Sequence, residues 1–99
     1  MSKNRKPLHP GEVLLEDFLK PLNISMNALA MRIHVPSGRI TEIVDGKRGI
    51  TADTAWRLSR FFGTSPQVWT NLQAQYELDL LVQTESAALK EIRPFVASA

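Results

Sequence analysis

The strongest constraint in this 99-residue chain is the spacing of two short apolar stripes on either side of Pro36. Met26, Leu29, Ala30 and Ile33 fall on one helical face, and Ile40, Ile43 and Val44 fall on another. Ser25 is a good N-cap for the first stripe, which predicts a helix over about 25–32. Pro36 cuts the pattern and preorganises a new first turn, and Gly46 is a natural stop after Asp45, which predicts a second helix over about 36–44. Only His34 and Val35 remain to join them. The helices must turn sharply there, with Val35 pointing inward to cover the corner, and that is the geometry of a helix-turn-helix.

Three further helices follow from the same signals. Pro10 suits a first turn, Glu12, Glu16 and Asp17 favour its positive end, and Leu14, Leu15, Phe18, Leu19 and Leu22 recur at helical spacing. This predicts a helix from Pro10 to about Lys20, stopped by Pro21. Thr51 caps a helix with Ala55, Leu58 and Phe62 inside, ended by Gly63. Ser65 and Pro66 form a cap-plus-proline start for a fifth, with Trp69, Leu72, Tyr76 and Leu80 on one face, reaching about Leu81. Beyond Gln83 the signal weakens: Ala87, Ala88 and Leu89 favour a helical turn or two, and Pro94 ends it. The expected organisation is a flexible basic arm over 1–9, one helical domain over 10–82, and a C-terminal extension over 83–99.

A chain of this length buries one core. With 43% hydrophobic and 22% charged residues it is too apolar for a disordered one. No apolar run approaches the roughly 20 residues needed to cross a bilayer, and nothing behind the basic start resembles a signal peptide, so the chain is expected to be cytoplasmic with no membrane partner. Zero cysteines exclude disulfides, thiolate metal sites and a cysteine nucleophile. Charge is distributed unevenly: residues 1–60 hold ten Lys and Arg against six acids, the remainder two against four. An anionic partner should therefore meet the first part.

On the second helix of the corner, the face opposite Ile40 and Ile43 offers Ser37, Arg39, Thr41 and Glu42, the positions from which a recognition helix meets base edges. Arg39 can donate two hydrogen bonds to guanine O6 and N7, a pairing worth about 1–3 kcal/mol of discrimination. Ser37 and Thr41 can contact bases or phosphate. Glu42 can accept from cytosine N4, or equally form a salt bridge that orients Arg39. Ser25 and Asn27 open the preceding helix, where free N–H groups and the helix dipole favour phosphate. Lys47 and Arg48 lie on a glycine-flanked loop suited to clamping the backbone rather than reading sequence.

Catalysis finds no support: His9 and His34 sit in a tail and a tight turn, without a metalloprotease motif, phosphate loop or serine elbow around them. No catalytic residue, metal ligand or cofactor is expected. Trp56, Trp69 and Tyr76 can suggest a ligand cage, but Trp69, Leu72 and Tyr76 have the spacing of a packed helix face, in the core or at a dimer interface.

The motifs His9-Pro10-Gly11-Glu12, Arg39-Ile40-Thr41-Glu42-Ile43, Gly46-Lys47-Arg48-Gly49-Ile50-Thr51 and Phe62-Gly63-Thr64 leading to Ser65-Pro66 and Trp69 together resemble the HigA, or VapI-like, family of addiction-module antitoxins over about residues 9–80. The resemblance implies an all-α, five-helix lambda-repressor-like domain with a short C-terminal helical extension. It also implies a homodimer on a palindromic operator and a HigB-like toxin partner that cleaves messenger RNA. Met26 departs from the wider repressor pattern, where a phosphate-contacting Gln is common, and His34 stands where the turn often has Gly, a left-handed position that His tolerates. Gly38 leaves one base-facing position without a side chain. Helix 5 and residues 83–99 lie outside the reading unit and are the candidates for dimerisation. The alternatives are a stand-alone repressor and a protein-binding module on the same fold.

Overall fold

The computed structural model describes residues 6–97, which form five helices and no strand. We label them α1 (residues 10–22), α2 (Met26–Arg32), α3 (Ser37–Val44), α4 (Ala52–Phe62) and α5 (Pro66–Lys90). The all-α, five-helix architecture is the expected one. None of these helices is long and apolar enough to cross a membrane.

Helix α1 runs past Pro21, where the sequence pattern places its end. It starts as α-helix over Pro10–Val13, widens to π-helix over Leu14–Leu19 and finishes over Lys20–Leu22. In an α-helix a proline ring collides with the carbonyl four residues back. Here the Lys20 N–H bonds the Leu15 carbonyl, five back, so the turn ahead of Pro21 is wide enough to admit the ring. The helix stops at Asn23, left-handed at φ 55°, with Ile24 N–H bonding back to Leu19 O at 3.0 Å.

His9 belongs to this helix and not to a mobile arm. Its Nδ1 accepts the Gly11 N–H at 2.9 Å, capping α1, and its ring meets Tyr76 of α5 edge-on with centroids 4.8 Å apart. The rest of the expected arm within 1–5 lies outside the described residues.

Leu14, Leu29, Ile40, Ile43, Leu58 and Trp69, drawn from all five helices, are fully buried and form the core. Two close approaches draw the elements together. A Cβ on Gly11 would stand 1.9 Å from the Ile43 carbonyl oxygen, so the first turn of α1 rests directly on the end of α3. Gln73 of α5 accepts the Ile50 N–H at 2.8 Å and covers Gly49.

The caps at Ser25 and Thr51 form as expected, each hydroxyl accepting an N–H three residues on. Ser65 makes no side-chain cap; instead Thr64 Oγ1 accepts the indole N–H of Trp69 at 3.1 Å. Trp69 packs with Phe18 and Phe62, Tyr76 packs on His9, and Trp56 is exposed, so the three residues of the imagined cage do not converge.

Helix α5 continues beyond Leu81 to Lys90, with non-helical dihedrals only at Glu85. No proline or glycine lies between Pro66 and Lys90, so the helix runs on through the irregular turn at Glu85, and the weak apolar pattern there accompanies side chains that stay exposed. Leu78, Leu80, Leu81, Val82 and Leu89 are exposed along this part.

Two outcomes test this packing. Gly11→Ala should cost about 3 kcal/mol through overpacking, with a melting temperature at least about 10 °C lower; an unchanged melt would mean α1 can slide away from α3 freely. Burial holds the His9 pKa below its ordinary 6.5, against a smaller opposing pull from Glu12. The native state therefore binds fewer protons than the unfolded chain just below pH 6.5. The stabilisation is complete above that pH and is lost as pH falls towards the folded value, where a proton on Nδ1 also removes the cap. Between pH 7.5 and 5.5 the melting temperature should fall, and His9→Asn, which caps without titrating, should flatten the slope.

Candidate nucleic-acid interface

The corner between α2 and α3 is a Schellman motif with histidine in the left-handed position. His34 has φ 62°, Val35 N–H bonds Ala30 O at 3.0 Å, and His34 N–H reaches Met31 O at 3.3 Å. Left-handed backbone costs a non-glycine residue about 1–2 kcal/mol, and Asn, Asp and His bear it best among large side chains. Val35 turns onto the core, as the spacing requires. Pro36, at φ −57° and ψ 146°, then starts α3, and its carbonyl accepts the Arg39 N–H at 2.9 Å.

Helix α3 divides cleanly. Ile40 and Ile43 face the core; Ser37, Gly38 and Thr41 are exposed, and Arg39 and Glu42 are half-buried at the border. A Cβ on Gly38 would meet nothing within 4 Å, so this face is open. Arg39 has no ion-pair partner among the described residues.

Glu42 forms a salt bridge, but not the expected one with Arg39. Its Oε1 accepts from Arg48 Nε at 2.7 Å, so the salt bridge runs to the loop and not to Arg39. The end of α3 makes this possible: Gly46 is left-handed at φ 76°, and Lys47 N–H folds back onto Glu42 O at 2.9 Å. The loop thereby curls over the last turn of α3. Arg48 neutralises the one carboxylate of α3, and Lys47 stays exposed with no ion-pair partner among the described residues. At the start of α2, Ser25 Oγ accepts the Ala28 N–H at 3.0 Å, and Asn27 is exposed beside it.

Sequence reasoning missed Arg57. From α4 its Nη1 donates to the Ile33 carbonyl at 2.9 Å and the His34 carbonyl at 3.2 Å, and its Nε to Asp53 at 2.9 Å. The acid four residues before it was a visible signal of helical pairing. The reach to a corner 23 residues earlier was not.

The Glu42–Arg48 pair is exposed, each side chain keeping close to half its surface, so a double-mutant cycle should return about 0.5 kcal/mol of coupling that fades with added salt. A coupling several times larger would mean that the loop is held by this bond alone.

Comparison with known proteins places this geometry. A sequence profile of the helix-turn-helix family matches residues 15–69. Virulence-associated protein I of Dichelobacter nodosus is 50% identical over 86 residues, covering 86% of this chain and 80% of that protein. An addiction module antidote protein of the HigA family from Coxiella burnetii superposes with a TM-score of 0.87 at 41% identity, over 92% of this chain and all of that one. The Pseudomonas aeruginosa antitoxin HigA, solved with the higBA promoter, superposes with a TM-score of 0.88 at 41% identity over the same shares.

Proposed function

The chain belongs to the helix-turn-helix family, in its HigA and VapI-like group of DNA-binding regulators rather than enzymes, and on that premise we propose that it is an antitoxin that represses its own operon. It reads an operator as a homodimer and neutralises a HigB-like toxin that cleaves messenger RNA.

The observation that carries this reading is the open outer face of α3. Arg39 stands there without an ion-pair partner among the described residues, beside a loop that supplies Lys47 and a carboxylate already neutralised by Arg48. Arg39 is the base-reading residue, with Ser37 and Thr41 at its sides. Ser25, Asn27 and Lys47 hold phosphates. Arg48 divides its charge between Glu42 and the backbone of the duplex.

One reading head covers one half-site, and a second copy places the other about 34 Å away. The exposed leucines and valine of α5 beyond Tyr76 are the surface through which two copies join. That the Pseudomonas aeruginosa antitoxin HigA was solved with a promoter supports the DNA partner, and the HigA kinship supports the toxin.

The test compares Arg39→Ala and Lys47→Ala on the duplex upstream of the coding sequence and on a scrambled duplex, across a salt series. Arg39→Ala should lose preference for the native sequence by about 1–3 kcal/mol. Lys47→Ala should weaken both duplexes alike and lower the salt slope by about one. Equal losses on both sequences for Arg39→Ala would remove its reading role. Co-expression with the product of the adjoining reading frame, scored by growth rescue and pull-down, tests the toxin partner separately.

A further inference from the structure

The first turn of α3, which carries Ser37 and Arg39, has little of its own to hold it. No side chain caps the helix, and its first fully buried residue is Ile40, one turn further on. What precedes it is a four-residue connection through a left-handed histidine. A tilt of about 10° at that corner swings the tip of an extended arginine in the first turn, roughly 8 Å from the pivot, by about 1.4 Å, which is enough to break a bidentate contact to a base.

We infer that Arg57 is the positioning residue for DNA reading, a clamp from α4 that sets the angle at which the first turn of α3 leaves the corner. Helix ends leave carbonyls without intrahelical donors, and those at Ile33 and His34 are where α2 ends and the corner begins. One guanidinium bonds both through Nη1, and its own plane is fixed by Nε to Asp53. A rigid group thus joins the middle of α4 to the two peptides whose dihedrals direct the reading helix. Lysine cannot substitute: its single ammonium on a flexible stem can meet the carbonyls or Asp53, without fixing a plane. The cation also sits favourably at the C-terminal end of α2.

The inference rests on the DNA-binding reading, and its test separates the two. Arg57→Met and Arg57→Lys are compared with the wild type on the upstream duplex and on its scrambled form, across salt. Both variants should bind the upstream duplex about tenfold more weakly, with scrambled-duplex affinity within twofold and the salt slope unchanged. Leu72→Ala, a half-buried residue of α5 remote from the corner, is the control for lost stability; at a similar loss in melting temperature it should keep the ratio between the two duplexes. Unchanged upstream-duplex affinity in Arg57→Met would overturn the proposal. So would equal losses on both duplexes, or a salt slope reduced by about one with Arg57→Lys near wild type, which would make Arg57 a phosphate contact. If the wild type itself shows no preference between the duplexes, it is the DNA reading that fails. Amide exchange at Val35 then decides the clamp: about tenfold faster exchange in Arg57→Met with core amides of α1 unmoved sustains it, and unaltered exchange overturns it.

Discussion

The left-handed corner at His34 is the constraint on which the rest of the molecule depends. Two short helices, neither stable alone, are joined so tightly that the direction of one is dictated by the other. The Val35 N–H bond to Ala30 closes the end of α2 within the corner itself, and the inward turn of Val35 seals it from below. With those satisfied, α3 has one orientation in which Ile40 and Ile43 are buried, and its opposite face is presented to solvent.

The surrounding helices brace this unit at both ends. At the far end of α3 the first turn of α1 approaches so closely that only glycine fits at position 11. At the near end Arg57 of α4 holds the corner carbonyls. Helix α5 supports α4 and α1 together, through Trp69 among Phe18 and Phe62 and through Tyr76 against His9. The scaffold is therefore packed around both ends of α3. Its apolar surface is exposed on α5 beyond that scaffold, as a partner-facing element would be.

Electrostatics follow the same division of labour. A lone carboxylate on the outer face of α3 would repel an anionic partner, and the Glu42–Arg48 pair offsets that charge while curling the loop over α3. Among the described residues Arg39 and Lys47 have no ion-pair partner, one at the border of the outer face of α3 and one on the loop. A modest overall charge thus becomes a directed one through placement rather than number.

The amino-acid order determined the five helices, the corner and the outward face of α3, because apolar periodicity, capping residues and glycine stops act within a few residues along the chain. The stops at Gly46 and Gly63 were legible because glycine announces a left-handed end. Asn23 ended α1 without such a signal, and the π-turn that carries the chain past Pro21 leaves no mark in local propensity. Only tertiary structure decided that His9 caps and packs instead of dangling, that Glu42 pairs with Arg48 and that Arg57 reaches the corner. Each of those depends on which side chains meet across distances in sequence that periodicity does not encode, and so on packing geometry rather than on pattern.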